Sequence, residues 1–440
     1  MSQYQIIVIG AGMAGLAAAQ TVQAANFSVK LIEGRDRIGG RTHTDSSLGT
    51  DIDLGAAWIH GPIGNPLTPL AQQFGVTHQY TDFTNQLGNS VLAFTGDGQP
   101  VDTAVYTQGI RLFEGAISHL HGSILHPQPP AEARSLADLY AHGLPGVDLD
   151  SLDEAKRLGY HYTAVISPQY EDASDLDLID WRLSERYVRL PGGDLLLYGG
   201  GYRRIVHGLA AGLDIQTETA VMQIDYSGPT VRVVTTQGEF TADQVIVTVP
   251  LGVLQNGRIA FTPDLPAEKQ AAIQRLGMGN YEKIALKFPH IFWPLEPQRF
   301  NYLGHESIPL YAAWLNNAHY SGEPILAAYH SGSRAQRINQ LSDEELIAGC
   351  LDTLRLMFGP DVPEPVAYVR TGWQDDPFSL GSYSYSKVGG QVGDRELLGA
   401  RVNGRLFFAG EATHPHYFGT VHAAYETGIR AAREIIDLTR

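Results

Sequence analysis

The feature that most constrains the fold of this 440-residue chain is a glycine triad that directly follows a short apolar run near the N-terminus. Residues 4–9 are rich in Ile and Val, which is typical of a strand buried on both faces of a parallel sheet. Gly10, Gly12 and Gly15 then form G-x-G-x-x-G, and the Ala-rich residues 13–25 predict a helix. The order of strand, tight turn and helix predicts a dinucleotide-binding βαβ unit.

Each part of this unit has a physical task in holding a dinucleotide. Gly10 makes the turn, Gly12 lets the backbone approach a pyrophosphate, and Gly15 lets the helix pack closely on the strand. The helix N-terminus, where Met13 and Ala14 lie, supplies N–H donors and a positive dipole to the phosphates. We therefore expect a phosphate-binding turn rather than a purely structural one.

The acidic residue expected at the end of the second strand is also present. Residues 27–32 form a second apolar run that ends at Glu33, whose carboxylate can accept hydrogen bonds from the adenosine ribose. The pattern E-x-R-x-x-x-G-G-R is contributed by Glu33, Arg35, Gly39, Gly40 and Arg41. Arg41 can place its guanidinium against the pyrophosphate, and the glycine pair lets the backbone pass close by. The pattern resembles the flavin amine oxidase and phytoene desaturase superfamily, which implies FAD rather than NAD.

Composition narrows the class of protein further. The chain is long enough for two structural units, and its 43% hydrophobic and 18% charged residues are typical of a globular protein. The single cysteine, Cys350, excludes a disulfide within the chain, and we expect no metal site. A net charge of −16 argues against nucleic acid as a partner and would attract cationic substrates, although an acidic surface also serves solubility.

The chain carries no membrane or secretion signal that we can recognise. It contains no run of eighteen apolar residues, and Arg440 follows directly on the last helical pattern. The N-terminus enters a strand almost at once and lacks the basic start and long apolar stretch of a secretory signal. We expect a cytoplasmic protein without a membrane association, as a monomer or a homodimer.

Residues 53–62, DLGAAWIHGP, carry a more specific resemblance, to the polyamine oxidases of the flavin monoamine oxidase family. In that family the segment passes beside the flavin ring. The resemblance implies flavin contacts from Gly55, Ala56, Ala57 and Trp58. His60 falls where back-converting polyamine oxidases carry a histidine in the substrate channel, and a neutral imidazole there can accept a hydrogen bond from an amine. The alternative interpretation of His60 is a packed histidine with a satisfied N–H.

Residues 277–293, GMGNYEKIALKFPHIFW, contain a predicted strand over residues 281–288. Its alternation puts Lys283 and Lys287 on one face and, by itself, predicts two solvated lysines on an outer strand. The family resemblance implies a different role, because amine oxidases place a lysine ten residues before a tryptophan, as Lys283 is before Trp293. In that family the lysine holds a water against flavin N5, where it would assist the reaction of reduced flavin with oxygen.

The C-terminal region is very close to the family pattern in residues 373–385 and 406–432. The resemblance implies cofactor contacts from Trp373, Gly410, Glu411, Thr420 and Val421, and from Val221 in the middle of the chain. A helix beginning near residue 420 would direct its N-terminus at the N1–C2=O edge of reduced flavin. Monoamine oxidases attach FAD through a cysteine in the stretch that matches residues 381–385. That stretch has no cysteine here, so we expect noncovalent FAD.

The family also encloses the substrate amine between aromatic rings on the flavin face. Tyr383 matches one of these walls. The opposite wall is a tyrosine in monoamine oxidases and in plant polyamine oxidases, whereas this chain has Thr420. Tyr417 or Phe418 is a candidate to complete the cage.

These segments divide the chain into interleaved blocks. Residues 1–75, 195–275 and 395–440 carry the FAD signals, and residues 76–194 and 276–394 are assigned to substrate binding. We therefore predict an α/β protein with a Rossmann-like FAD domain of the amine oxidase and glutathione reductase type, built from discontinuous segments. A second, α+β domain with a mixed sheet would bind the substrate.

An acidic run in the first substrate block has two interpretations. The run consists of Glu171, Asp172, Asp175, Asp177 and Asp180. These carboxylates would bind the distal ammonium groups of a polyamine if they line a channel. The alternative is a solvated face or loop.

The sequence thus predicts an FAD-dependent amine oxidase, most like the spermine and spermidine oxidases, with Lys283, His60 and Tyr383 in the catalytic site. In such enzymes a hydride passes from the amine α-carbon to flavin N5, the imine hydrolyses to an aldehyde and an amine, and O2 reoxidises the flavin to give hydrogen peroxide.

Several alternatives remain open at this point. An L-amino acid oxidase would need an arginine for the substrate carboxylate, for which Arg182, Arg186 and Arg189 are candidates. A flavin-fold binding or escort protein would keep the glycine turn but lose the flavin-facing residues. A desaturase would not need the arrangement of lysine and His60, and at this length we expect no room for the chromatin modules of a histone demethylase.

Overall fold

The computed structural model describes residues 3–83, 85–122, 133–141, 147–184, 186–304 and 308–438. The strands are β1 Gln3–Ile9, β2 Val29–Ile32, β3 Thr44–Asp45, β4 Ile52–Asp53, β5 Trp58–His60, β6 Thr77–Thr81, β7 Val91–Phe94, β8 Asp194–Tyr198, β9 Ile215–Gln216, β10 Val221–Asp225, β11 Val231–Thr235, β12 Gly238–Val247, β13 Ala260–Thr262, β14 Gly277–Met278, β15 Tyr281–Lys287, β16 Arg299–Tyr302, β17 Ala313–Asn316, β18 Ile325–Ser331, β19 Ala367–Arg370, β20 Ser384–Tyr385 and β21 Leu406–Phe408.

The helices alternate with these strands along most of the chain. They are α1 Met13–Ala24, α2 Leu67–Gln73, α3 Thr103–Gly122, α4 Leu136–Ala141, α5 Glu154–Asp172, α6 Trp181–Ser184, α7 Gly201–Ala210, α8 Leu251–Gln255, α9 Ala267–Arg275, α10 Asn317–Ser321, α11 Gly332–Asn339, α12 Asp343–Phe358, α13 Asp394–Gly399 and α14 Val421–Leu438, with short 3-10 turns at Leu149–Ser151 and Glu411–Thr413.

The predicted βαβ unit is confirmed. Strand β1 pairs in parallel with β2 on one side and with β12 on the other, so its apolar side chains are buried on both faces. Helix α1 follows after three residues and is buried over residues 13–19 and at Val22, which explains why this part is rich in alanine rather than amphipathic. The sequence pattern identified this unit because all of its signals are local.

An eight-stranded sheet is built around this unit from segments far apart in the chain. Its order is β13-β10-β11-β12-β1-β2-β9, and β21 pairs with the second half of β12. Apolar clusters cover both faces of the sheet. On one face α1 packs closely against α14, so the C-terminal helix completes the same core that the N-terminal turn begins.

A six-stranded mixed sheet lies beside the first and has the order β19-β15-β18-β17-β16-β7. One face carries Ile284, Leu286 and Phe288 into an apolar core with α12. The other face carries Lys283, which the register of β15 and β18 places directly opposite Tyr329. Only the pairing of β16 with β7 is parallel, so the expected mixed character of this sheet is confirmed.

The prediction from periodicity that Lys283 and Lys287 are solvated on an outer strand is wrong. Strand β15 has a neighbour on each side, β19 and β18, and only 5% of Lys283 is exposed. Residues 48–55 cross this face of the sheet, and their carbonyl oxygens accept hydrogen bonds from both ammonium groups. An alternating pattern cannot distinguish a face covered by polar backbone from one covered by water.

The strands of the two large sheets lie in the blocks that the sequence assigned to FAD and to substrate, respectively. A smaller sheet of order β5-β8-β6 joins the two sets of blocks. The division into domains stays a prediction. Among the described residues, no helix has both the length and the apolar composition needed to cross a bilayer.

The close packing of α14 on α1 yields a stability prediction at Gly428. A Cβ placed on Gly428 would come within 2.1 Å of the Ala14 carbonyl oxygen. Because the two helices would have to move apart, we expect Gly428→Ala to lower the free energy of unfolding by about 1–3 kcal/mol. Thermal unfolding followed by circular dichroism would measure this loss.

The matched control is Gly115→Ala in α3, where nothing lies within 4 Å of the added Cβ. This variant should be neutral or gain up to about 1 kcal/mol from helix propensity. Equal losses in the two variants would contradict the packing argument.

Candidate active site

A large cavity extends from the turn after β1 to the polar face of the six-stranded sheet, with a volume of about 1260 Å³. Every residue that the sequence predicted for cofactor binding or catalysis lines this cavity, except Gly15. A Cβ on Gly15 would come within 1.8 Å of the Gly10 carbonyl oxygen, so Gly15 permits the packing of helix on strand and is not part of the wall. The lining residues among those predicted are Gly10, Gly12, Met13, Ala14, Glu33, Arg35, Gly40, Arg41, Gly55, Ala56, Ala57, Trp58, His60, Val221, Lys283, Trp373, Tyr383, Gly410, Glu411, Thr420 and Val421.

The dinucleotide turn presents backbone rather than side chains to the cavity. Gly10 has a φ of +101°, which favours glycine, and a Cβ there would come within 2.8 Å of Thr248 Oγ1. Gly12 precedes α1, and no side chain caps this helix. A Cβ on Gly40 would come within 3.4 Å of the Gly12 Cα. The uncapped N–H groups of α1 and the bare backbone around them fit a pyrophosphate group.

Glu33 is held rigidly at the end of β2. Its two carboxylate oxygens accept hydrogen bonds from the N–H groups of Ala11 at 2.8 Å and Arg35 at 2.9 Å. The Arg35 guanidinium in turn donates to Asp376 and Ser379, both at 2.8 Å. A carboxylate oxygen has a second lone pair, so Glu33 can still accept a hydrogen bond from a ribose hydroxyl.

Glu411 joins the C-terminal motif to the rest of the wall. Its carboxylate accepts hydrogen bonds from Arg41 Nη1 at 3.0 Å, Ser384 Oγ at 2.6 Å and the Gly419 N–H at 2.8 Å. Burial alone would raise the pKa of Glu411, but Arg41, the Ser384 hydroxyl and Arg395 together hold that pKa below its ordinary value. Glu411 is therefore an ionised organising group near Arg41.

Lys283 and Asp53 form a buried pair where the six-stranded sheet meets residues 53–55. The Lys283 ammonium donates to the carbonyl oxygens of Asp53 at 2.9 Å and Gly55 at 2.6 Å, and it lies 5.6 Å from the Trp58 ring centroid. Burial lowers the pKa of Lys283 and raises the pKa of Asp53, while the opposite charge of each partner opposes both shifts. The nitrogen thus lies beside the segment predicted to pass along the flavin ring.

Helix α14 begins at Val421 and directs its N-terminus at the same cavity. The Thr420 hydroxyl accepts a hydrogen bond from the Ala423 N–H at 3.2 Å and donates to the Tyr417 carbonyl oxygen at 2.6 Å. Thr420 therefore caps the helix with its side chain and leaves the Val421 region to face a ligand. The predicted helix start is confirmed.

A row of aromatic rings forms the wall beside Lys283. Ring centroids are 5.9 Å apart for Trp58 and Tyr329, 6.0 Å for Tyr329 and Tyr281, and 6.0 Å for Tyr281 and Tyr383. Tyr281 and Tyr329 were missed in the sequence. Alternation could have found Tyr281, which shares a face with Lys283, but Tyr329 depends on the pairing of β15 with β18.

Of the two candidates for the opposite side of the aromatic cage, only Phe418 lines the cavity. Tyr417 instead stacks on His414, with ring centroids 4.7 Å apart. Phe418 packs edge-on against Tyr187, with centroids 5.5 Å apart. The structure therefore favours Phe418 over Tyr417 as the second wall of the aromatic cage.

His60 lies at the half-exposed end of β5, directly across from Asp194 of β8. Its Nδ1 is 2.7 Å from Asp194 Oδ1. Asp194 also lines the cavity and was not recognised in the sequence, because the pairing of β5 with β8 joins residues far apart in the chain. The carboxylate fixes the orientation of the imidazole ring.

The acidic run divides between the two interpretations, and its first two members line the cavity. Glu171 forms an ion pair with Arg189. Asp172 is buried and accepts a hydrogen bond from Ser184 Oγ at 3.3 Å. Burial, and next the charge of Glu171, raise the pKa of Asp172 to about 7.

The other three members have structural positions. Asp175 accepts hydrogen bonds from the Ser333 N–H at 3.0 Å and Oγ at 3.1 Å. Asp180 accepts from backbone N–H groups at the start of α6, and Asp177 is exposed. Asp175, Asp177 and Asp180 are outside the cavity wall, so the channel interpretation is wrong for them.

The arginines proposed for a substrate carboxylate are poorly placed for that role. Arg182 lies over the Trp181 ring and Arg186 lies 3.9 Å from Glu396, both outside the cavity wall. Arg189 lines the cavity but is already paired with Glu171. Cys350 is fully buried in the core beneath the six-stranded sheet, so this thiol is not in the wall either.

Comparison with protein families agrees with this architecture. The model of the family described as flavin containing amine oxidoreductase matches residues 13–436. The chain is 36% identical to Polyamine oxidase 2 of Arabidopsis thaliana, over 98% of this chain and 87% of that protein. It is also 36% identical to Lysine-specific histone demethylase 1 homolog 2 of the same plant, of which it spans only 58%.

Solved structures show the same fold. A putrescine oxidase double mutant, made for the structure-based redesign of cofactor binding, aligns with a TM-score of 0.77 over 99% of both chains. A triple mutant of that enzyme aligns with a TM-score of 0.75. Sequence identity is 21% in both cases, so this likeness supports the fold alone.

The raised pKa of Asp172 predicts a pH-dependent affinity for cations. Because Asp172 ionises as pH rises through about 7, we expect a dication to bind several-fold more tightly at about pH 8 than at about pH 6. Hexamethonium is a suitable probe, since its quaternary ammonium groups keep their charge at every pH. Isothermal titration calorimetry would measure its Kd.

The variant Asp172→Asn should remove most of this pH dependence. Asp175→Asn is the matched control, because Asp175 belongs to the same acidic run but contacts Ser333 and does not line the cavity. It should keep the pH dependence of the wild type. The same pH profile in wild type and Asp172→Asn would show that Asp172 is not the titrating group.

Proposed function

The chain belongs to the flavin-containing amine oxidoreductases, and from this premise we propose that it oxidises polyamines of the spermine and spermidine class. The observation that carries the proposal is the continuity of one cavity from the dinucleotide turn, past Lys283, to Asp172. An amine near Lys283 can therefore extend a second ammonium group towards an acidic wall. The polyamine oxidases among the relatives support the same substrate class.

FAD, when bound, supplies the acceptor for the hydride that leaves the carbon next to the amine nitrogen. The residues that would hold it are those of the dinucleotide turn, Glu33 and the N-terminus of α14. The imine product of such an oxidation hydrolyses to an aldehyde and a shorter amine. The chain's own residues then have to orient the amine and keep it unprotonated.

His60 is proposed to orient the amine nitrogen at the cavity wall. Its Nδ1 is engaged with Asp194, which leaves Nε2 as the nitrogen available to the substrate. In such a position the imidazole can accept a hydrogen bond from an amine or take up its proton. Orientation matters more than strong basicity here, because hydride transfer depends on close and aligned approach.

The aromatic wall is proposed to keep the reacting end of the substrate dry and neutral. Burial raises the pKa of Tyr281 and of Tyr383 well above the ordinary value, so both hydroxyls stay protonated. The Tyr383 hydroxyl donates to the Tyr170 carbonyl oxygen, which fixes its ring. Neutral ring faces disfavour water and can orient an amine lone pair.

Lys283 is proposed to act in the oxygen-dependent half of turnover. Its ammonium group has three N–H donors, and the carbonyl oxygens of Asp53 and Gly55 occupy two of them. The third is available to a water or to oxygen in the cavity that Lys283 lines. A positive charge there would stabilise the negative charge that develops during reduction of oxygen.

This role predicts the effect of replacing Lys283. We expect Lys283→Met to bind FAD but to slow flavin reoxidation by about tenfold or more, since it removes a buried charge from the reacting region. Stopped-flow mixing of the reduced protein with oxygen would measure the rate. Lys287→Met is the matched control: Lys287 shares the strand and the face, but it contacts Leu48 and Glu323 outside the cavity wall. Equal reoxidation rates in both variants would refute the role.

A substrate panel tests the proposed function itself. Peroxide formation should be assayed with spermine, spermidine, putrescine, acetylated polyamines, monoamines and amino acids, and the products should be identified. We expect the highest kcat/KM for a spermine or spermidine derivative, because such a chain can place one amine near Lys283 and a second ammonium group towards Asp172, both of which line the cavity. Activity confined to L-amino acids would overturn the proposal in favour of an L-amino acid oxidase.

A further inference from the structure

Arg299 is a buried cation in the cavity wall that the proposed chemistry does not use. It begins strand β16, only 6% of it is exposed, and its side chain lines the cavity. The register from β15 through β18 and β17 to β16 aligns Lys283, Tyr329, Ala313 and Asn301 in one row. Arg299 precedes Asn301 by two residues, so it lies on the same face of the sheet as Lys283.

The surroundings of this guanidinium are aromatic. Its central carbon lies 4.8 Å from the Phe83 ring centroid, and burial lowers the pKa of the guanidinium while the neighbouring hydroxyls of Tyr162, Tyr170, Tyr281 and Tyr106 raise it. Throughout the described parts of the chain, no carboxylate and no carbonyl oxygen accepts a hydrogen bond from the Arg299 side chain. An arginine is protonated at all relevant pH values, so a full positive charge faces the cavity without a partner.

The other cavity-lining arginines considered above differ in this respect. Arg35 is paired with Asp376, Arg41 with Glu411 and Arg189 with Glu171. Leaving a buried guanidinium unpaired destabilises the folded state, and the rings around Arg299 offset only part of that cost. Such an arrangement is expected where a ligand supplies the missing anion.

We propose that Arg299 binds a carboxylate carried by the substrate, at the end remote from the carbon that is oxidised. A carboxylate is the anion that matches the planar fork of a guanidinium with two parallel hydrogen bonds. This inference rests on the proposed amine oxidation in the same cavity and narrows its substrate class. The substrate is a polyamine-like chain that ends in a carboxylate.

The distance between Arg299 and Lys283 supports a carboxylate at the end of the substrate remote from the carbon that is oxidised. Three strand-to-strand steps and two residues along the strand separate their backbones by roughly 15 Å. Between the side chains, the Lys283 nitrogen lies 5.6 Å from the Trp58 ring centroid, and Trp58 and Phe83 have centroids 5.6 Å apart. Phe83 then contacts Arg299, so two rings separate the two cations. One extended substrate can contact both regions of the cavity.

A matched pair of substrates tests the inference in the holoenzyme. Spermidine is compared with its β-alanine analogue, in which a carboxylate replaces the terminal aminomethyl group. We expect the wild type to prefer the analogue in kcat/KM. Arg299→Leu should reduce that preference by about tenfold or more, mainly through KM, whereas Arg299→Lys should retain part of it because the charge remains while the fork is lost.

A ligand that cannot react provides a second readout. Hexanoate has a carboxylate but no amine, and calorimetry would measure its Kd for the wild type and for Arg299→Leu. We expect binding to be lost in the variant. The Tm of Arg299→Leu should equal or exceed that of the wild type, because the substitution removes an unpaired buried charge; a lower Tm with unchanged hexanoate binding would mean that Arg299 has a structural role.

The outcomes separate this inference from the proposed function. If hexanoate binding and the substrate preference are the same in wild type and Arg299→Leu, the carboxylate site is refuted even when spermidine is oxidised. If no amine reduces the flavin but hexanoate binding still depends on Arg299, the proposed function fails and the carboxylate site stands.

Discussion

The buried ammonium of Lys283 is the interaction on which the arrangement of the cavity depends. It joins the face of the six-stranded sheet to the Asp53 and Gly55 carbonyl oxygens, in the segment that follows the dinucleotide-binding unit. The Asp53 carboxyl accepts hydrogen bonds from the Thr44 hydroxyl and from the Tyr202 N–H at the start of α7. A buried cation needs acceptors within reach, so the sheet, the segment and the helix have to meet here. The positive charge of Lys283, which holds the sheet against residues 53–55, also lines the cavity where the chemistry is proposed.

Elsewhere in the cavity wall, the Glu411 carboxylate likewise joins separate parts of the chain, but with a negative charge. Arg41 from the N-terminal block, Ser384 at the start of β20 and Gly419 before α14 all donate to its carboxylate. Three distant parts of the chain are therefore fixed by one buried anion. Because both organising groups are paired within the protein, they can hold the wall in shape without depending on a substrate.

Sequence reasoning succeeded where the signal was local and failed where it depended on pairing between distant strands. The strand, glycine turn, helix and Glu33 lie within 33 residues and each has a fixed offset from the next. Periodicity alone misplaced Lys283, since residues 48–55 cover its face and no alternating pattern records what covers a sheet. Tyr329, Asp194 and Arg299 reach the cavity only through the registers of β18, β8 and β16, which a single sequence does not encode in any short motif.

The charges that remain unpaired in the cavity decide what it can select. Lys283 and Glu411 have protein partners, and Glu171 is paired with Arg189, so none of these discriminates strongly between ligands. Arg299 has no hydrogen-bonding or ionic partner in the described structure. A substrate without an anion would leave this guanidinium unpaired, and this costs more binding free energy than a poor fit to an apolar wall. A plain polyamine would place an ammonium or a methylene group beside this guanidinium and would lack the binding free energy of an ion pair with Arg299. Discrimination within the polyamine class is therefore expected to arise at Arg299, far from the carbon that reacts, rather than at Lys283.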